Sequence, residues 1–269
     1  MVFRFAVAAL IACPLFAAGV KIEFTAAKRE VIAARLARAP ETNETRAAGL
    51  QKLFEEAGCT GDKLRTQEVK GARQPNVICS FPGETGSTIV TSAYLDFSEK
   101  GKGVVEDWSG AALLPSLFEA LQGTTRRHSF VFIGFTDKQR NLRGSSFYVK
   151  SLSPQEKAKI KAMISLDSLG VSPTKVQVEG TDKGLSAKLN SLAKALNLPV
   201  TGVNNPRVAN ADAQSFGSKI PTITIHSLLV GDSTPGGARD NVAAVKLDDY
   251  YSTYRLVAGY LIYLDQTLE

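Results

Sequence analysis

The sequence predicts a layered α/β fold in one domain, and three observations carry that expectation. Helical and strand periodicities alternate along the chain, the pattern that stacks helices on a sheet. Ser129–Phe135 is a continuous apolar run suited to a central strand covered on both faces. The chain has 269 residues with an ordinary apolar share, enough for one large core, and it shows no linker, internal repeat or low-complexity tract.

The elements follow in order. Residues 24–38 and 44–57 read as amphipathic helices, the first ended by Pro40, which cannot continue a helix. Residues 64–69, Asn76–Phe81 and Thr88–Tyr94 read as strands, with Pro82-Gly83-Glu84-Thr85-Gly86 as a turn. That turn lacks the Gly-Lys-Ser/Thr ending of a phosphate loop. A helix over 109–122 precedes the central strand, and helical patterns at 145–152 and 154–162 follow it. A strand over 163–166 carries Asp167 at its carboxyl end; 176–178 and 222–225 are further strands, and 185–196 and 248–264 are helices. Ligands of open α/β sheets gather beyond the carboxyl ends of strands. Asp96, Asp107, Asp137, Asp167 and His226 all fall at such ends, so a cleft is expected there.

The first residues read as a processing signal. Met1 to Arg4 are a short cationic region, 5–18 an apolar stretch too short to span a bilayer, and Ala17-Ala18-Gly19 a small-residue cleavage site. Residues 1–19 are thus expected to be a signal peptide and 20–269 the mature domain, exported to a periplasmic or extracellular location. Leu10-Ile11-Ala12-Cys13 also fits a bacterial lipobox, which would make Cys13 a lipid anchor. Few apolar residues precede it, and the soluble form is preferred.

Export leaves Cys59 and Cys79, an even pair in an oxidising compartment, readable as a disulfide or as two buried thiols. The formal charge is +6, with Lys and Arg scattered and no basic, aromatic helix to enter a groove. That favours a solvated basic surface over nucleic-acid recognition. Of the two histidines, His128 is expected at the surface, and His226 is expected to face the cleft in a hydrogen-bonded supporting role. A serine-hydrolase reading fails because no Gly-x-Ser-x-Gly elbow is present: Gly144-Ser145-Ser146 lacks the following glycine.

The chemistry-bearing blocks are Tyr94-Leu95-Asp96, Gly103-Val104-Val105-Glu106-Asp107-Trp108-Ser109-Gly110, Lys138-Gln139-Arg140-Asn141-Leu142-Arg143-Gly144-Ser145 and Ser165-Leu166-Asp167. In order and spacing this succession resembles the di-zinc aminopeptidases of metallopeptidase family 28, which also includes glutaminyl-cyclase-like members. The resemblance covers nearly the whole mature chain. It implies a three-layer α/β/α sandwich on a mixed, mostly parallel sheet, and a peptide cleft built around zinc.

Carried over residue by residue, it keeps Asp107 as the carboxylate that would bridge two zincs, Asp167 as a ligand of the second metal, and Asp96 as the residue orienting a histidine. That histidine is Tyr94 here. The family's general base falls on Lys138 and the ligand beside it on Gln139. The late histidine, four residues before Asp240, falls on Gly236, with Ser233-Thr234-Pro235 as a displaced alternative. A further Ser-Asp-His element reads Ala211-Asp212-Ala213. Trp108 would stand at the cleft lip or pack against the following helix.

A catalytic zinc needs about three protein ligands and an open position, and a base within reach of its water. Both are missing from this set. Two carboxylates such as Asp107 and Asp167 brought to about 4 Å would repel by roughly 4 kcal/mol at an effective dielectric near 20, so Lys138 is expected to supply the absent positive charge, the alternative being a Lys138 that reaches solvent and leaves the pair hydrated. The resulting expectation is an exported, catalytically degenerate homologue without a cofactor, binding a peptide or protein partner through the inherited cleft. The competing enzyme reading keeps zinc and aminopeptidase activity through Asp107, Asp167 and extra ligands such as Asp137 or Asp96. A third reading is an envelope interaction protein that uses another face.

Overall fold

The computed structural model describes residues 10–14, 20–98, 100–209 and 211–269, with side chains from residue 20 onward apart from Lys21. The leader expected over 1–19 lies outside this apart from the backbone of β1 (Leu10–Pro14), as does the Cys13 side chain. β1 pairs antiparallel with β2 (Lys21–Thr25).

The main sheet has eight strands: β3 (Leu64–Gln67), β4 (Asn76–Phe81), β5 (Thr88–Tyr94), β6 (Ser129–Phe135), β7 (Ile160–Asp167), β8 (Lys175–Gln177), β9 (Thr201–Val203) and β10 (Thr222–His226). Their spatial order is β3-β4-β6-β5-β7-β10-β8-β9. The central strands β6, β5, β7 and β10 run parallel, as do β8 and β9, while β3-β4, β4-β6 and β10-β8 are antiparallel. The mixed, mostly parallel sheet of the sequence reading is therefore present.

Helices cover both faces, as the strand side chains dictate. Along β4, Val77, Cys79 and Phe81 point to one core and Ile78 to the other; along β6, Phe130 and Phe132 oppose Ile133 and Phe135. The larger core takes α1 (Arg29–Ala37), α2 (Asn43–Glu56), α3 (Ser109–Ala111), α4 (Leu114–Ala120), α7 (Lys183–Ala195) and α9 (Leu247–Thr267). The smaller takes Tyr148 of α5 (Arg143–Ser151) and Phe216 of α8 (Ala213–Phe216), and α6 (Pro154–Lys159) leads into β7. No helix of the described residues is long and apolar enough to cross a membrane.

Several expected boundaries change. Residues 24–25 belong to β2 and not to the first helix: Ile22 and Phe24 are buried on either side of Glu23, the alternation of a half-covered strand. The helix expected over 109–122 divides into α3 and α4 just before Pro115, whose ring and missing N–H disfavour a continuous ladder. The helix expected over 154–162 ends at Lys159, and Ile160 already belongs to β7. Cys59 and Cys79 form a disulfide, tying the end of α2 to β4 with a Cα–Cα separation of 6.3 Å.

Candidate functional site

The carboxyl ends of β5, β6, β7 and β10 open on one edge of the sheet, and the loops beyond them build the site. Of the six non-glycine residues with positive φ among those described, Asp107 (85°), Asp137 (61°), Asn141 (57°), Leu142 (53°) and Ser168 (52°) lie on these loops. Strain of this kind persists only where the surroundings over-determine the backbone. Val104–Trp108 is a wide turn kinked at Glu106 and Asp107. The Asp240 carboxylate holds it, accepting from the backbone N–H of Val105 (2.6 Å), Glu106 (3.0 Å) and Gly236 (2.8 Å). Gly110 then allows α3 to close on β7, since a Cβ there would sit 2.6 Å from the Leu166 carbonyl oxygen.

Buried Arg46 clamps the same loops from behind. It donates to the carbonyls of Leu95, Lys102 and Gly103, and its guanidinium lies 4.1 Å from the centre of the Phe97 ring. Burial lowers its pKa to about 10, against the pull of Asp107, Asp240, Asp96 and Glu106.

Lys138 stands at the centre. Its backbone N–H donates to Asp96 Oδ1 at 3.0 Å, so Asp96 positions the loop after β6. Its Nζ donates to Asp107 Oδ1 (3.0 Å) and Asp167 Oδ2 (3.1 Å), and lies 4.1 Å from the centre of the Tyr94 ring. Burial works against this ammonium, but Asp107, Asp167 and Glu106 outweigh it and hold its pKa above the ordinary value. The other oxygen of Asp167 accepts from the Ser168 hydroxyl at 2.7 Å. Asp107 is fully buried, and its Oδ2 has no hydrogen-bond partner. Burial raises the Asp107 pKa against the pull of Lys138, with Glu106 and Asp167 adding to the rise.

Below this cluster the Tyr94 phenol is buried, and burial, with Asp212, Asp167 and Asp107, raises it well above its usual value. Asp212 accepts from the Ser92 hydroxyl at 3.3 Å, and burial pushes its carboxyl upward despite the Ser145 hydroxyl and Lys138. Above the cluster a cleft of about 640 Å³ is lined by Lys138, Asp167, Gln139, Glu106, Arg207 and Gly236, among others. Gln139 reaches Glu106 Oε1 at 3.5 Å.

Other expected residues lie elsewhere. Trp108 is not at the cleft lip: its ring is wholly buried in the larger core, and its Nε1 donates to the Arg35 carbonyl at 3.3 Å. The kinked turn points Asp107 toward Lys138 and sends the next residue inward. Asp137 turns away to pair with Arg143 at 3.2 Å and Arg140 at 3.9 Å. His226 is buried beside Asp167 in strand register, and its Nδ1 accepts from the Leu228 N–H at 3.1 Å. Burial lowers its pKa to about 4, so it is neutral at physiological pH. His128, expected at the surface, is 1% exposed and packs on Asp265, which accepts from the His128 backbone N–H at 2.8 Å and lies 3.2 Å from its Nδ1.

Sequence reasoning missed Glu106, Arg46 and the clamping role of Asp240. Glu106 had a visible signal, being one half of the Glu106-Asp107 acid pair inside the Gly103-to-Gly110 block. Burial raises its carboxyl, with Lys138 opposing. Arg46 had none, since it sits in an ordinary amphipathic helix.

The sequence profile of Peptidase family M28 matches residues 76–245, a span holding all of these loops except the Arg46 helix. The chain belongs to peptidase family M28. An aminopeptidase of Pseudomonas aeruginosa is 30% identical over 115 residues, which is 41% of this chain and 21% of the relative. Leupeptin-inactivating enzyme 1 of Streptomyces exfoliatus is 30% identical over 110 residues, 40% of this chain and 25% of that one. The matched stretch thus spans about a quarter or less of these curated relatives. The Legionella pneumophila LapA aminopeptidase superimposes with a TM-score of 0.77 at 19% identity, over 89% of this chain and 71% of that one. A glutaminyl cyclase from an Acidobacteriales bacterium gives a TM-score of 0.68 at 15% identity, over 88% of this chain and 93% of that one. This M28 chain therefore shares their α/β fold.

Proposed function

We propose that this M28 chain is an exported, catalytically degenerate member of its family that binds a peptide or protein partner in the inherited cleft. The observation that carries the reading is the Lys138 ammonium between Asp107 and Asp167. A protonated amine cannot take a proton from water, so the base position holds no base. The donors do not fit a zinc pair. Of the two carboxylates that would ligate, both face an internal cation, and Tyr94, Gln139 and Gly236 offer no imidazole or carboxylate. No group of three or more His, Cys, Asp or Glu side chains converges among the described residues in a way that could hold a metal. Asp96 and Asp137, the extra ligands of an enzyme reading, are engaged by the Lys138 backbone and by Arg143.

The Cys59–Cys79 disulfide supports export, because such bonds persist in oxidising compartments. That bond and the leader-like first residues are what support a periplasmic or extracellular location in this reading. Metal analysis of protein purified without chelator, paired with an aminoacyl-nitroanilide assay in added zinc at neutral pH, tests the reading. Less than stoichiometric metal and no turnover are expected; tightly held zinc with release of amino-terminal residues would restore the aminopeptidase reading.

A further inference from the structure

Thr222-Ile223-Thr224-Ile225-His226 alternates polar and apolar residues, the pattern of a strand with one wet face, yet all five residues of β10 are buried. Ile223 and Ile225 enter the larger core, so the polar face has to be matched by partners inside the protein. Thr222 is matched, its hydroxyl donating to the Gly180 carbonyl at 3.2 Å. Thr224, only 4% exposed, has no hydrogen-bond partner among the described residues.

Its neighbours on this face repeat the deficit. Thr224 pairs with Ser165 of β7, whose hydroxyl is enclosed without a partner. On the other side Ile225 stands opposite Val176, which puts Gln177 of β8 opposite Thr224 and on the same face. Gln177 is 3% exposed, and its Oε1 accepts from the Asn205 N–H at 2.8 Å, which leaves the Nε2 donors unmatched among the described residues. Thr224 and Gln177 both line a cavity of about 760 Å³ over this end of the sheet.

We infer that this cavity is a binding site for a neutral carboxamide, with Gln177 Nε2 donating to the ligand's carbonyl and the Thr224 hydroxyl accepting from its N–H. The site goes beyond the peptide-binding reading and does not depend on Lys138. A carboxamide sets an acceptor and a donor side by side, the complement of an amide NH₂ beside a hydroxyl. Val208, Ala211, Ile220 and Pro221 supply apolar wall for the rest of the ligand. Charge disfavours the isosteres. The described lining residues include Glu179 and Asp182 and no Lys, Arg or His, so a carboxylate would meet its own sign, and an ammonium would set donors against the Gln177 donors.

The test titrates isobutyramide into the isotope-labelled full chain, followed by NMR, alongside isobutyrate, isobutylamine and N-acetylglutamine methylamide. Isobutyramide is expected to bind saturably, to shift the Gln177 side-chain NH₂ signals, and to bind at least tenfold more tightly than either charged isostere. Thr224→Val should weaken it about fivefold without lowering the urea midpoint, since that hydroxyl has no partner to lose. Gln177→Glu keeps the acceptor for the Asn205 N–H, removes the donor, and should weaken binding tenfold or more. Tighter binding of the acetylglutamine amide would name a peptide's glutamine as the source, tighter binding of isobutyramide a free amide; both support the site. Absence of saturable binding by either amide, equal affinity for isobutyrate or isobutylamine, or unchanged affinity in both variants would overturn it. None of those results bears on peptide binding above Lys138, so the two readings fail separately.

Discussion

Gly236 leaves the space that Glu106 fills. A Cβ built at residue 236 would lie 2.5 Å from Glu106 Oε2 and 2.8 Å from the Ser98 hydroxyl, on a backbone with φ of 66°. Gly236, the position expected for the family's late histidine, thus has no room for a side chain while Glu106 stands there. Gly236→His is expected to destabilise the fold by about 1–3 kcal/mol, from left-handed strain plus displacement of Glu106. Urea denaturation measures this, and an unchanged midpoint would show that the loop yields freely.

Removing the ammonium alone should cost more. Lys138→Met leaves Asp107 and Asp167 facing each other in a buried site, and breaking one side of a buried ion cluster typically costs about 3–5 kcal/mol. Both carboxylates are at most 1% exposed, so water cannot take over the role of the lysine. The loss should shrink as the pH falls and the Asp107 carboxyl, raised by burial, takes up a proton. Denaturation at pH 7 and pH 5 reads both effects, and a deficit independent of pH would assign Lys138 a packing role.

The central strands were legible because β4, β5 and β6 are runs of branched and aromatic residues bounded by turns, and their ends match the expected ones. Strand β9 was not, since Thr201-Gly202-Val203 is a short, largely exposed edge with no apolar alternation. Within the site, ordered spacing located the loops, whereas side-chain direction depended on backbone geometry that spacing does not encode. Asp107 and Trp108 are adjacent, yet the kink at φ 85° sends one to Lys138 and the other into the core. His128 was misplaced because its Arg126-Arg127 neighbours suggested solvent, while Asp265, distant in sequence, caps the backbone there and helps bury the ring.

Changing Lys138 and Gln139 together to glutamate adds two acids beside Asp107 and Asp167 but no histidine. Tyr94 and Gly236 still offer no imidazole, and a catalytic zinc holds about three protein ligands. Lys138→Glu with Gln139→Glu is therefore expected to remain without stoichiometric zinc and to be less stable than the wild type. Equilibrium dialysis against zinc at neutral pH checks it, and one tightly bound ion per chain would show that few ligands had been lost in any effective sense.

The Cys59–Cys79 bond closes a sequence separation of 20 residues. Constraining the unfolded chain over such a loop is worth roughly 3 kcal/mol. Both sulfur-bearing residues are fully buried, so mild reductant should leave the native protein intact and act once it unfolds. Paired Cys59→Ala and Cys79→Ala changes should lower the urea midpoint accordingly; identical midpoints with and without the bond would refute its stabilising role.

His226 should give the protein an acid-sensitive limb. Its folded pKa is lowered to about 4, first by burial, whereas an unfolded histidine titrates near 6.5. Between those values the unfolded chain takes up a proton that the folded chain refuses, so stability is full above about pH 6.5 and declines as the pH falls toward 4, by roughly 3 kcal/mol at the limit. His226→Asn keeps an acceptor for the Leu228 N–H without a titrating ring. Unfolding free energies measured from pH 7 to pH 4.5 should therefore fall less steeply in the variant than in the wild type. Parallel curves would mean that carboxylate protonation around Lys138, and not this imidazole, governs acid stability.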